Sequence, residues 1–344
     1  MKPNAAFSQE ARPLEPREDN LLIRPARRED LASVRDLLIE TWHDTYDAIY
    51  GRERVTAITE EWHALDRLAG ELDRKANAFL VGEARDASLL STASATLRDS
   101  GVVTLGRLYV RPKFQGQGFG SAMLRACENW FPQARSMRLE IETKNAKARR
   151  FYAKRGFREL PEASKSDEGQ NILCQKPLAF DRERSSQALI RPVRDEDAQE
   201  LLGLIALCFA EYPGCIVDPH DDLADLVNPA STAAENGKCF WVVEDGVGRI
   251  GACISLDYPT PETAELHRVY VRPDLRRRGL AGKLVALAES EAGRRGARRM
   301  FFWSDTRFVA AHQFYGQLSY RLTGEERDLR DVSRSREYRF EKAL

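Results

Sequence analysis

The sequence predicts an α/β protein made of two tandem domains, each a mixed β-sheet flanked by α-helices. The chain has 344 residues, whereas single hydrophobic cores rarely grow beyond about 250 residues. The stretch VRPKFQGQGFG at 110–120 returns as VRPDLRRRGLA at 271–281, and LLIRPARREDLASVRDLL from Leu21 returns as ALIRPVRDEDAQELLGLI from Ala188. Matched positions lie 167, 161 or 163 residues apart, which indicates loop insertions between two copies of one fold.

The repeat also sets the predicted domain boundaries. Residues 21–178 form one domain and residues 188–344 the other, and the polar segment 179–187 is predicted to be a linker. Residues 1–20 lack the apolar segment of a secretory signal, and we expect them to form a disordered tail.

The first copy opens with an apolar strand. Glu29 and Asp30 then mark a helix start, where unpaired amide donors and the helix dipole favour acids. Period-2 and period-3.6 apolar patterns continue the alternation along the copy. The predicted strands lie at 21–24, 78–84, 88–97, 102–110, 137–142, 157–160 and 171–177, and the predicted helices at 29–45, 56–73, 118–131 and 146–155.

The second copy repeats this order of elements. Asp195, Glu196 and Asp197 stand where its first helix starts, so we interpret them as caps rather than catalysts. Helices that alternate with strands indicate an α/β unit. The predicted strands lie at 188–192, 238–244, 249–257, 263–271, 299–304, 320–326 and 336–342, and the predicted helices at 195–210, 221–227, 279–294 and 308–318.

Composition excludes several classes of protein. Basic and acidic residues balance at 53 each, so no overall charge draws the chain to nucleic acid or to an anionic membrane. The absence of an 18-residue apolar run leads us to expect a cytoplasmic protein. No zinc-type spacing or other metal site is predicted for the cysteines, which we expect to be free thiols. The cysteines are Cys127, Cys174, Cys208, Cys215, Cys239 and Cys253.

The repeated glycine turn is typical of an anion site. In each copy a strand ending in YV runs into Arg-Pro, a polar loop, a glycine at 118 or 279 and then a helix. That order directs backbone N–H groups and a helix N-terminus toward one point, which suits a phosphate or pyrophosphate. Gly116, Gly118 and Gly120 allow close approach, whereas the second copy adds Arg276 and its two neighbouring arginines. A helix cap without a ligand is the alternative.

Two common nucleotide motifs are not present. The dinucleotide pattern G-x-G-x-x-G fails because Ser121 stands at its third glycine. The Walker pattern fails because Gly282-Lys283 is followed by Leu284 and lacks the earlier glycine.

At the glycine turn the chain resembles the GNAT superfamily of acyl-CoA-dependent N-acyltransferases. Gln115-x-x-Gly118-x-Gly120 and Arg276-x-x-Gly279-x-Ala281 are similar to its [QR]-x-x-G-x-[GA] motif. Asn145, Phe151-Tyr152 and Gly156-Phe157 are similar to its later N-x-x-A…FY…GF helix. The second copy keeps FY but departs from this helix at Asp305-Thr306-Arg307 and at Ser319-Tyr320. The resemblance implies two tandem GNAT-like domains, each with a mixed, mostly antiparallel sheet.

The resemblance further implies an acyl-CoA site in each half. The loop amides would hold the pyrophosphate, and the preceding strand would pair with the pantetheine arm as a peptide strand does. The residues implied in the first half are Leu108, Tyr109, Val110, Gln115, Gly116, Gln117, Gly118, Phe119, Gly120, Ser121 and Asn145. Those in the second half are Val269, Tyr270, Val271, Arg276, Arg277, Arg278, Gly279, Leu280, Ala281 and Gly282.

Acyl transfer to an amine needs a proton acceptor for the amine and a proton for the leaving thiolate. By resemblance, Tyr152 and Tyr315 stand where a phenol supplies the second proton, although packing against the sheet is the alternative for each. Glu265 and His267 are two residues apart on a predicted strand and therefore share one face, and Asp305 ends the next strand. In the first copy Glu140 and Glu142 share a face, where they are catalytic groups or solvated charges.

These residues predict an N-acetyltransferase that moves acetyl from acetyl-CoA, without a metal, to a primary amine by direct attack. Glu265 and Tyr315 make the second copy the expected catalytic half, with Tyr152 the matching residue of the first. The expected partners are acetyl-CoA and a small-molecule amine, with no nucleic acid or membrane, and the expected state is a monomer or homodimer. The alternative is a non-catalytic acyl-CoA-binding or scaffold protein with one or both sites degenerate.

Overall fold

The computed structural model describes residues 21–74, 76–98, 101–160, 171–178, 189–218, 223–245 and 248–344. The predicted tail at 1–20 and the predicted linker at 179–187 lie outside these described residues. The domain boundaries at 178 and 188 therefore stay predictions. Among the described residues, no helix combines the length and the apolar character needed to cross a membrane.

The first half folds around one mixed sheet. Its strands are β1 (Leu22–Pro25), β2 (Asn77–Glu83), β3 (Leu89–Leu97), β4 (Val102–Val110), β5 (Ser136–Glu142), β6 (Arg158–Glu159) and β7 (Asn171–Pro177). Its helices are α1 (Leu31–Tyr50), α2 (Arg52–Trp62), α3 (Leu65–Leu72), α4 (Phe119–Trp130) and α5 (Ala146–Ala153). The predicted helix at 56–73 is thus two helices, because Ala64 adopts an extended conformation between them.

The second half repeats the same plan. Its strands are β8 (Leu189–Pro192), β9 (Cys239–Glu244), β10 (Ile250–Thr260), β11 (Thr263–Val271), β12 (Arg299–Asp305), β13 (Arg321–Asp328) and β14 (Arg336–Ala343). Its helices are α6 (Ala198–Phe209), α7 (Pro229–Glu235), α8 (Leu280–Arg294) and α9 (Val309–Gln317). The predicted helix at 221–227 was wrong in its described part, which holds a 3₁₀ turn at Ala224–Leu226, and α7 begins later at a proline suited to a first helical turn.

Both described sheets have seven strands in matching order, β1-β2-β3-β4-β5-β7-β6 and β8-β9-β10-β11-β12-β14-β13. Neighbouring strands are antiparallel except for the pairs β4–β5 and β11–β12. These two pairs are parallel because α4 and α8 serve as crossover connections. The predicted fold class, two α/β units with mixed, mostly antiparallel sheets flanked by helices, is confirmed.

The parallel pairs are short, and this opens the sheet. β4 pairs with β5 only over Val102–Thr104, and β11 pairs with β12 only over Thr263–Glu265. Beyond these residues the register of β4 slips at Gly106, and that of β11 slips between His267 and Tyr270. Each bulge bends its strand away from the parallel neighbour. A cleft therefore begins at the same place in both halves.

Each half has an ion triad beside its first strand, which is buried in the first half and partly buried in the second. Arg24 donates to Asp30 at 2.7 and 2.9 Å and to Glu83 at 2.7 Å. In the second half Arg191 contacts Asp197 and Glu244 at similar distances. Asp30 also accepts from the Arg27 N–H at 2.7 Å, as a capping acid does, so it has both the predicted capping role and a role in the ion triad.

The two halves contact each other through α6 and the loop after β1. The Gln199 side chain hydrogen-bonds to the Leu21 carbonyl and to the Ile23 N–H, so it covers the outer edge of β1. Arg27 donates to the Val217 carbonyl at 2.9 Å and lies 3.5 Å from Asp218.

Candidate functional site

The glycine turn of the first half presents a row of backbone N–H groups. Pro112–Phe114 forms a 3₁₀ turn, and Gly116 and Gly118 take left-handed φ angles of 81° and 95° before α4 begins. Within the described part of the chain, the backbone N–H groups of residues 116–120 have no protein acceptor. Five consecutive donors at a helix N-terminus suit an anion such as a diphosphate. We call residues 115–121 the first cradle.

The second half has the same backbone arrangement with different side chains. Arg277 and Gly279 take left-handed φ angles of 60° and 76°, at the positions that match Gly116 and Gly118. No described backbone group accepts from the backbone N–H groups of Arg277 and of residues 279–281. We call residues 276–282 the second cradle. An arginine there holds a conformation that glycine adopts more readily.

The first residue of each cradle fixes the end of the preceding strand, a role that the motif alone does not reveal. The Gln115 Nε2 donates to the Val110 carbonyl at 2.9 Å, and the Arg276 Nε donates to the Val271 carbonyl at the same distance. Glutamine and arginine share the reach and the N–H donor that this bond needs.

A cavity of about 440 Å³ lies where β4 and β5 separate. It runs from the first cradle along β4 to the far end of β5. Most of the predicted first-half residues line it, whereas Gln117 lies outside it and the Phe119 side chain is buried in the core. The lining residues that were predicted to bind the cofactor are Leu108, Tyr109, Val110, Gln115, Gly116, Gly118, Gly120, Ser121 and Asn145.

Tyr152 lines the same cavity from α5. Its ring packs edge-on against Phe151 and Phe157, with centroids 5.0 and 5.4 Å away. Burial raises the pKa of Tyr152 well above its usual value, so the phenol keeps its proton at neutral pH. Tyr46 and Tyr109 also line the cavity, and no described group hydrogen-bonds to the Tyr152 hydroxyl.

The helical stripe of α1 forms one wall of this site. Trp42 is buried, but Tyr46 reaches the cavity and stacks on Tyr50 at 5.9 Å between ring centroids. The Tyr50 hydroxyl donates to Glu142 at the end of β5. Burial alone would raise the pKa of Glu142, but this bond and the Lys144 N–H bond outweigh it and keep the pKa below its usual value. Sequence reasoning did not connect Tyr50 with Glu142, because 92 residues separate them.

The two acids predicted on β5 differ in their surroundings. Glu142 is buried, whereas Glu140 is exposed and lines the cavity. The Asn171 Nδ2 lies 3.4 Å from the Glu140 Oε2. Glu140 therefore places a carboxylate at the open side of the cleft.

The second half brings together only some of its predicted catalytic residues. The His267 Nε2 lies 3.6 Å from the Glu265 Oε2, so these two share one face as expected. Asp305 is tied to Arg307 by hydrogen bonds of 2.5 and 2.8 Å. Tyr315 is 6% exposed and packs on Phe302 with ring centroids 4.0 Å apart.

The cleft of the second half carries an aromatic cluster. Phe308 takes the position of Asn145, at the start of the last helix of its half. Its ring lies 4.5 Å from Tyr212 and 5.8 Å from Phe209, which in turn packs 5.8 Å from Tyr270 on β11. Glu211 pairs with Arg276 at 2.6 Å. Four aromatic rings and an ion pair thus lie beside the second cradle.

Comparison with known proteins agrees with this architecture. The model of the acetyltransferase (GNAT) family matches residues 32–157 and again 187–320. A spermidine N(1)-acetyltransferase of Thermoplasma acidophilum is 25% identical over 141 residues, which cover 40% of this chain and 87% of that protein.

Two solved structures are also similar. The PaiA N-acetyltransferase of Thermoplasma acidophilum, in complex with coenzyme A, has 23% identity and a TM-score of 0.42 over 46% of this chain and 98% of its own. An acetyltransferase of Streptococcus agalactiae has 18% identity and a TM-score of 0.40, again over 46% and 98%.

The chain therefore belongs to the GNAT acetyltransferase family, because the two matched regions together cover more than half of it. The predictions of a tandem GNAT protein and of an N-acetyltransferase are confirmed. Members of this family use acetyl-CoA.

Proposed function

We propose that the first half is the catalytic half and transfers acetyl from acetyl-CoA to a cationic primary amine of the polyamine class. One observation carries this proposal: a single cavity is lined both by Gly116, Gly118 and Gly120, whose backbone N–H groups have no acceptor among the described residues, and by Tyr152. The sequence expectation favoured the second half. The aromatic cluster around Phe308 is our reason for proposing the first half instead.

The residues of the first half fit the donor. The N–H groups of the first cradle suit its diphosphate, and the edge of β4 beyond Thr104, which no longer pairs with β5, suits the amide groups of the pantetheine arm. When bound, acetyl-CoA supplies an acetyl thioester whose cleavage releases a thiolate. We assign Asn145 to the same arm, because it stands at the mouth of the cavity at the start of α5.

Tyr152 is our candidate for the proton donor. A phenol with a raised pKa is protonated throughout the neutral range, and Tyr152 lines the cavity with no described hydrogen-bond partner for its hydroxyl. It is therefore able to protonate the thiolate as the carbon–sulfur bond breaks, and the proton that the attacking neutral amino group loses as the amide forms restores the phenol. Tyr109 and Tyr46 line the same cavity.

The acceptor site favours a positive charge. Glu140 is the exposed carboxylate of the cavity, and the stacked rings of Tyr46 and Tyr50 stand on the α1 side. Carboxylates and aromatic faces both attract ammonium groups. The similar protein from Thermoplasma acidophilum is named as a spermidine acetyltransferase, which supports the same class of amine.

The second half has a different proposed role from the first. We propose that it is a degenerate site, which is the alternative that the sequence left open. Phe308 replaces the asparagine, and the Asp305 carboxylate is hydrogen-bonded to Arg307. Catalysis by Glu265 and Tyr315 stays a prediction.

Thiol release from acetyl-CoA with a panel of amines tests this proposal. We expect release with spermidine and with diamines, and little with neutral amines. Glu140→Gln should raise KM for spermidine about tenfold, with kcat nearly unchanged, because it removes one ionic contact. Glu159→Gln is the matched control, since Glu159 pairs with Arg149 at 2.9 Å outside the cavity. Equal activity on neutral and cationic amines would overturn the proposed amine class.

A further inference from the structure

Two cations reach the first cradle from α5 and the turn that follows it. Lys147, Phe151 and Arg155 are spaced four residues apart, so they lie on one face. The Lys147 Nζ donates to the Gln115 Oε1, and the Arg155 Nη2 donates to the Ser121 Oγ. Lys147 and Arg155 therefore contact the two ends of the first cradle, and both line the cavity.

The Arg155 guanidinium is held rigidly in this position. Its Cζ lies 3.6 Å from the centre of the Phe151 ring, and its Nη1 donates to the Phe151 carbonyl at 3.0 Å. A planar guanidinium that is already stacked loses little side-chain entropy when it also contacts an anion. Gly120 makes this packing possible, because a Cβ there would lie 3.2 Å from the Phe151 ring.

The second half distributes its charge in the opposite way. The residues that match Lys147 and Arg155 are Ala310 and Leu318, whereas Phe314 keeps the place of Phe151. Positive charge lies in the loop instead, where Arg276, Arg277 and Arg278 replace Gln-Gly-Gln. Each half thus has cations near its cradle, but only the first has them on α5, which also carries the catalytic candidate Tyr152, and on the turn that follows α5.

We propose that Lys147 and Arg155 bind the diphosphate of the acetyl donor in the first half. This inference rests on the proposed function of that site. Five backbone N–H groups contribute partial charges, and the two side chains add full charges at the two ends of the cradle. Lys147 and Arg155 lie outside the [QR]-x-x-G-x-[GA] stretch and far from it in the sequence, so the motif does not identify them.

Calorimetry on full-length protein tests this assignment. All chains carry Gly279→Asp, which places a carboxylate in the second cradle at a left-handed position that aspartate tolerates. The double variant Lys147→Ala, Arg155→Leu, which takes the residues of the second half, should bind acetyl-CoA about 100-fold more weakly. Its binding of dephospho-coenzyme A, which keeps the diphosphate, should weaken equally. Acetyl-pantetheine, which lacks the diphosphate, should bind as it does to the parent.

Lys154→Ala is the matched control, because Lys154 is an exposed cation on the same helix end that does not line the cavity. It should change acetyl-CoA affinity less than twofold. A double variant that binds acetyl-CoA normally, or that loses acetyl-pantetheine to the same degree, overturns the assignment. If only the binding of ligands that carry the 3′-phosphate weakens, the two residues bind that phosphate and not the diphosphate, and the assignment is also overturned. Failure of the parent to bind acetyl-CoA overturns the proposed function as well.

Discussion

The two halves of the chain have the same backbone arrangement but different side chains in the cleft. Both sheets have the same strand order, both parallel pairs end after three residues, and both cradles place left-handed residues at matching positions. Yet Asn145 in one cleft corresponds to Phe308 in the other, and free space in the first is matched by packed aromatic rings in the second.

If only the first half is catalytic, as we propose, the backbone N–H groups alone do not make the site. Within the described residues, backbone N–H groups without a backbone acceptor occur at matching positions of both cradles, so they are a property of the repeated fold. The two halves differ in how open the cleft between the separated strands is, and in where charged side chains and the tyrosine hydroxyl lie. These features depend on a few side chains. The comparison therefore assigns binding to the cradle and selectivity to the cleft.

The largest expected difference concerns the two tyrosines. Tyr152→Phe should lower kcat for acetyl transfer about 10³-fold, because it removes the proton donor and keeps the packing. Tyr315→Phe should leave kcat within about twofold, since its ring lies in the core of the other half. Steady-state thiol release at saturating acetyl-CoA measures both. A large loss in Tyr315→Phe with none in Tyr152→Phe would reverse the assignment of the catalytic half.

The second largest expected difference is in how much stability each ion triad contributes. Asp30→Asn should lower the free energy of unfolding by about 3 kcal/mol, because it leaves the Arg24 charge partly unpaired in a buried site. Asp197→Asn should cost about half as much, since Glu244 of the second triad is 30% exposed. Urea unfolding of the full chain compares them, and equal costs would contradict the difference in burial.

The loss of stability in Asp30→Asn should depend on pH. Burial alone would raise the pKa of Asp30, but the hydrogen bonds from Arg24 and the Arg27 N–H outweigh it and lower the pKa. A carboxyl whose folded pKa is depressed stabilises the fold above its unfolded pKa of about 4 and loses that contribution as the pH falls. The gap between the parent and Asp30→Asn should therefore narrow below about pH 4.

An acid-sensitive histidine occurs in the first half. His63 is 3% exposed, and burial, helped by the Arg107 charge, lowers its pKa to about 4. Its unfolded form binds a proton near pH 6.5, so stability falls as the pH drops from 6.5 toward 4. Between pH 7 and pH 5 the parent should lose about 2 kcal/mol more than His63→Phe. Urea unfolding at the two pH values measures this loss, and an equal loss in both proteins would contradict it.

The smallest effect is expected from opening the second cleft. Phe308→Asn introduces the first-half residue and removes the ring that packs on Tyr212. Acetyl-CoA binding at the second cradle should strengthen about tenfold, because the asparagine amide is able to hydrogen-bond to the donor and the ring no longer fills the cleft. Calorimetry on a chain that also carries Gly118→Asp isolates this site. An unchanged affinity would show that other residues close the second cleft.

The sequence predicted the scaffold because repetition and periodicity are local properties. The repeated VRP segment located both cradles, and the structure gives Gly116 and Gly118 left-handed φ angles there. Boundaries failed where one extended residue, Ala64, divides a helix-period segment, since a single residue hardly changes the period.

Long-range pairs could not be predicted from spacing. Tyr50 and Glu142 are 92 residues apart, and Arg155 reaches Ser121 across 34. The effect of Phe308 was also not evident, because a phenylalanine at a helix start does not reveal which rings surround it. Such contacts depend on how the strands separate, which is a property of the assembled sheet.

The number of acetyl-CoA sites per chain tests the central claim most directly. Calorimetry on the full-length protein should give one site, which Gly118→Asp abolishes by placing a carboxylate among the N–H groups of the first cradle. Gly279→Asp should leave that site intact. Two equal sites, or one site that Gly279→Asp abolishes and Gly118→Asp preserves, would contradict the account.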